Sequence, residues 1–87
     1  MVKLTLKANL SELENVSLKD DFSKRLAERL RELRIKRGMK QEQLANMATV
    51  HLTYISHLEA GKYHPSAYVL WKVAKALGVS MNELTDL

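Results

Sequence analysis

Cysteine is absent from the 87 residues. That excludes disulfide staples and thiolate metal sites, and it fits a reducing compartment. No run of 18 apolar residues occurs, so no segment reads as a membrane-crossing helix. The opening MVKLTLKANL lacks both the apolar stretch and the small-residue cleavage site of a secretory leader, and a cytoplasmic location is expected. Internal repeats and low-complexity tracts are missing too. The three histidines offer no pair at four-residue helical spacing; His51 and His57, six apart, stand about 120° from each other round a helix, so neither a metal site nor another cofactor is expected. Nothing resembles a nucleophile elbow, a phosphate-cradling glycine loop or a zincin helix. A helical bundle of this length also has little cavity from which to exclude water. An enzyme is not expected, and neither is a small-molecule ligand.

What is present fits one small domain, 46% apolar, with a modest core. The net charge of +4 is unevenly placed. Residues 24–40 (KRLAERLRELRIKRGMK) hold eight basic and two acidic residues, a local balance of +6. By charge alone this is either a solvated helix face, with acidic residues among the basic ones, or a surface for a polyanion.

Residues 2–8 (VKLTLKA) alternate apolar and polar side chains with a period of two, which predicts a strand. No second strand follows, so residues 1–16 are expected to be an N-terminal arm whose strand is exchanged with another copy. From Ser17 to the end at residue 87 the pattern is helical, and the expected architecture is an all-α, five-helix domain. Ser17 and Asp20 have the spacing of a capping box. Phe22, Leu26, Leu30 and Leu33 then recur on one face until Gly38. Lys40 to Met47 forms a second helix with Leu44 and Ala45 inward, and His51 to Glu59 a third that ends at Gly61. Pro65–Ser66 opens a fourth, with Val69, Leu70, Val73 and Leu77 buried, which Gly78 closes. Ser80 and Glu83 cap a short fifth helix. Tyr68 and Trp71 either join the core or share an apolar patch with Val79, Met81, Leu84 and Leu87, which would serve self-association.

The third helix is the informative one. With His51 at zero and about 100° per residue, Tyr54, Ile55 and Leu58 fall in one inward stripe. Leu52, Thr53, Ser56 and His57 fall opposite. A helix face needing only solubility carries Lys and Glu; this one carries a methyl-rich side chain, two hydroxyls and an imidazole. Such groups approach base edges closely, apolar against a thymine methyl and polar against donors and acceptors. Basic residues nearby would hold the phosphates.

Residues 33–84 carry Arg34, Gly38, Gln41, Leu44–Ala45, Ile55, Leu58–Glu59–Ala60–Gly61–Lys62, Pro65–Ser66 and the ending from Leu77 to Leu84. In these positions the chain resembles the phage-repressor and Cro type of helix-turn-helix domain, the xenobiotic-response-element family. The resemblance implies double-stranded DNA as partner, a homodimer and a role as a small transcriptional regulator, by expectation a repressor. It implies that Leu52, Thr53, Ser56 and His57 enter the major groove. Lys40, Gln41, His51 and Lys62 would contact phosphates, Gln41 beside the amide groups of a helix end. Arg34 and Glu59 would form a structural ion pair between helices one and three. Two departures stand out. Thr49 occupies the turn where the family often has glycine, and the reading face lacks Gln, Asn and Arg. The rival reading is a protein-interaction module on the same fold, such as an antitoxin or adaptor.

Overall fold

Ser11 starts the first helix. Its hydroxyl accepts the Glu14 amide at 3.1 Å, and the Glu14 carboxylate accepts the Ser11 amide at 3.0 Å. This reciprocal box satisfies two amides that the helix itself leaves unpaired. The bond from the Ser11 backbone, with the hydroxyl contact second, holds the Glu14 carboxyl below its ordinary value. The computed structural model describes residues 11–87; the strand expected over 2–8 and its exchange between copies lie outside them.

Helix α1 spans Glu12–Lys36, and its cap Ser11 lies six residues before the one expected at Ser17. Ser17 and Asp20 lie in its interior, and residues 12–16, expected as arm, are its first turns. Four further helices follow: α2 Gln41–Ala48, α3 Leu52–Glu59, α4 Ala67–Leu77 and α5 Met81–Thr85. All the regular structure among the described residues is helical.

Burial explains the assembly from Ser23 onward. Leu26, Leu30 and Leu33 of α1 close over Leu44 and Ala45 of α2, Ile55 and Leu58 of α3, Val73 and Leu77 of α4, and Leu84 of α5. Each fully buried leucine or isoleucine contributes about 1.5–3 kcal/mol relative to an exposed one. Helix α3 packs against α1 and α2, α4 against α2, and α5 against α1 and α4. Before Ser23 no residue of α1 is buried, and the domain is correspondingly long, 43 Å against 22 and 20 Å.

Four helix ends share one geometry. At Gly38, Gly61 and Gly78 the glycine amide bonds back three residues, and the next amide bonds back five, the Schellman arrangement with its left-handed residue. Thr49 ends α2 in the same way, its amide on the Asn46 carbonyl and the Val50 amide on that of Ala45. Its φ of 56° and ψ of 50° are left-handed, which costs a residue with a Cβ about 1–2 kcal/mol. The turn is not distorted to escape that strain. Lys72 of α4 reaches across and donates to the Thr49 carbonyl at 3.1 Å.

Tyr68 and Trp71 are not core residues. They are 65% and 48% exposed, stacked at 6.4 Å, with Lys72 over one ring and Lys75 over the other. Leu84, by contrast, is fully buried. It is the side chain that α5 inserts into the core, so it is not part of a surface patch with them.

Candidate nucleic-acid interface

The third helix is anchored from one side and open on the other. Ile55 and Leu58 are buried, while Leu52 and Thr53 are exposed and Ser56 and His57 are half-buried. His51 caps the helix: its Nδ1 accepts the Thr53 amide at 3.2 Å, the task Ser or Thr usually performs.

Behind this face lies a half-buried polar network. The Arg34 guanidinium donates to both oxygens of the Glu59 carboxylate, Nε at 2.6 Å and Nη2 at 2.9 Å. The two side chains are 13% and 3% exposed. The third guanidinium nitrogen donates to the Met39 carbonyl at 2.7 Å, holding the turn that leads into α2. Gln41, the first residue of α2, donates from its amide nitrogen to Glu59 at 3.1 Å. Its carbonyl oxygen accepts the Ser56 hydroxyl at 2.9 Å. Four side chains from three helices therefore fix the angle at which α3 stands beside the N-terminus of α2.

This network sets what its outer members can still do. The Ser56 hydroxyl has its proton on Gln41, so toward a ligand it offers lone pairs and acts as an acceptor. Gln41 keeps one amide hydrogen with no partner among the described residues, beside the unpaired backbone amides of the α2 N-terminus. Lys40, preceding it, is exposed, its own amide donating to Gln43 at 2.8 Å.

Much of the basic segment is engaged within the fold. Arg25 donates to Asp21 and the Leu87 carbonyl, Arg29 to Glu32 and the Glu83 carbonyl, and Arg37 to the Gly78 carbonyl. With Arg34, these arginines tie α1 and its C-cap to α3, α5, the end of α4 and the C-terminal residue, so much of the local +6 serves the fold. At the other end of the face, Lys62 follows the left-handed Gly61, and its amide returns to the His57 carbonyl at 3.0 Å.

Sequence reasoning missed Tyr63. Its hydroxyl lies 3.0 Å from Nδ1 of His57, and its ring meets His57 edge-on at 5.1 Å and Tyr54 at 5.3 Å. Burial, with Tyr63 nearby as the lesser cause, raises the Tyr54 phenol above its ordinary value. The only signal in the sequence was an aromatic residue two positions past a helix-ending glycine.

The helix-turn-helix family model HTH_3 matches residues 30–84. Over 62 residues the chain is 37% identical to the HTH-type transcriptional regulator DdrOP3 of Deinococcus deserti, covering 71% of this chain and 48% of that protein. Among solved structures it is similar to the restriction-modification controller protein C.AhdI of Aeromonas hydrophila, with a TM-score of 0.70 and 34% identity, covering 71% of this chain and 94% of that one. It is also similar to the hypothetical transcription factor NHTF from Neisseria, with a TM-score of 0.72 and 32% identity over 95% of this chain and 88% of that one.

Proposed function

The chain belongs to the helix-turn-helix family of DNA-binding transcription regulators, and we propose that it acts as a small repressor whose α3 reads the major groove of double-stranded DNA. In this reading Leu52, Thr53, Ser56 and His57 meet base edges. Lys40, Gln41, His51 and Lys62 meet the phosphates on either side. The observation that carries the proposal is the open face of α3, poor in charge and braced from behind by the Arg34–Glu59–Gln41–Ser56 network. A rigid platform holding short polar groups suits direct readout, which needs atoms within hydrogen-bond reach of a base.

The reader works as a homodimer on paired half-sites, about 34–36 Å apart if they face one side of the duplex. In this reading it acts in the cytoplasm. Selection of bound duplexes from a random pool tests the proposal. A recovered two-fold motif, bound in preference to scrambled DNA at moderate salt, supports it; recovery of no motif overturns sequence reading.

The exposed Tyr68–Trp71 pair favours a second reading, a protein-interaction module of antitoxin or adaptor type. A salt titration separates the two. Release of counterions from DNA gives a steep loss of affinity with salt that an apolar protein interface does not.

A further inference from the structure

A neutral imidazole carries one N–H, and which nitrogen bears it decides whether the ring offers a donor or an acceptor to its surroundings. At His57 that choice is constrained. The Tyr63 hydroxyl stands 3.0 Å from Nδ1, while Nε2 has no hydrogen-bond partner among the described residues. Of the two groups in contact, the phenol is the stronger acid and the imidazole nitrogen the stronger base. The favoured arrangement therefore has the phenol donating to Nδ1, which leaves the imidazole proton on Nε2. Should the ring become charged, Nδ1–H donates to the phenol oxygen and Nε2–H remains a donor.

Tyr63 is well placed to impose this. The Lys62 amide, one residue earlier, bonds to the carbonyl of His57 itself, so the loop returns to the residue it constrains. The Tyr63 ring is held against the half-buried Tyr54 and meets the imidazole edge-on, at 80° between planes.

We propose that Tyr63 is a positioning residue that fixes the tautomer of His57, so that the nitrogen presented to DNA is always a hydrogen-bond donor. The base facing His57 must then carry a major-groove acceptor. Guanine (N7 and O6) and thymine (O4) satisfy this fully, adenine through N7 alone, and cytosine, whose edge shows the N4 amino donor, is rejected. The inference rests on the reading of His57 as a base contact.

Two measurements on the full chain test it. Nitrogen-15 NMR of the imidazole under mildly alkaline conditions reports the tautomer without DNA. The wild type is expected to show Nδ1 unprotonated and Nε2 protonated, and Tyr63→Phe, which keeps the ring, to show a mixture. A wild-type ring with its proton on Nδ1, or a Tyr63→Phe spectrum unchanged from wild type, overturns the tether. Selection from a random pool is then run on wild type, Tyr63→Phe and His57→Ala. Cytosine at one position of each half-site is expected to bind the wild type about tenfold less well than guanine, since it leaves a donor facing a donor. In Tyr63→Phe that ratio should fall several-fold. If His57→Ala leaves the selected motif unchanged, the base-contact reading fails and takes the inference with it. If His57→Ala alone broadens the motif while Tyr63→Phe matches wild type, only the tether is overturned.

Discussion

The Ser56 hydroxyl donates a 2.9 Å hydrogen bond to the carboxamide oxygen of Gln41, fifteen residues away on the preceding helix. One side chain on the open face of α3 is thereby tied to the helix end proposed to meet a phosphate. Ser56→Ala should act at two levels. Preference for an amino-bearing base, adenine or cytosine, should relax at one position, because the acceptor is lost. Affinity for every sequence should also fall by up to about tenfold, because Gln41 loses its restraint. Titration against a panel of single-base operator variants separates the two effects.

Arg34 and Glu59 form the buried ion pair beneath this link. Removing one partner strands the other charge away from water, so Arg34→Met alone should cost about 3–5 kcal/mol, a large part of a small domain's stability. Replacing both with Met should recover much of that loss. Urea denaturation of the two single variants and the double variant measures it, and a double variant no more stable than Arg34→Met would refute the pairing.

Thr49→Gly should stabilise the domain. Relief of about 1–2 kcal/mol of left-handed strain exceeds the 0.5–1 kcal/mol or so that a glycine loses in conformational freedom on folding. A gain of about 1 kcal/mol corresponds to a melting temperature about 4–8 °C higher for a domain of this size. Thermal melts followed by circular dichroism suffice.

Lys62→Ala should weaken binding to all sequences by a similar factor and reduce the slope of log affinity against log salt by about 1. A change confined to one base position would instead mark Lys62 as a reader.

Where burial or a cap organised the chain, the sequence revealed it. Gly38, Gly61 and Gly78 mark helix ends in the structure, Ser80 caps the helix it was expected to cap, and Ser66, expected with Pro65 to open α4, is its N-cap. The start of α1 was misplaced because residues 12–21 bury nothing, so hydrophobic spacing carries no signal there. Two serines each had an acid three residues on, and glutamate at position 14 completed the box. The arginines of residues 24–40 were misleading for a different reason. Arg25, Arg29 and Arg37 bond to backbone carbonyls on the far side of the chain, and a carbonyl leaves no trace in residue identity. The open face of α3 was visible from 100° spacing, but the Tyr63 contact depends on how a loop folds back.

The polar network behind α3 involves neither Leu52 nor the side chain of Thr53, whose backbone amide alone engages the His51 cap. Both side chains are exposed and make no hydrogen bond among the described residues, so in the proposed reading the domain's address on a genome is written in letters that can be changed without rebuilding the page. A library randomised at 52 and 53 should remain soluble and cooperative in unfolding while its members recognise different operators, giving a route to mutually insulated genetic switches from one scaffold.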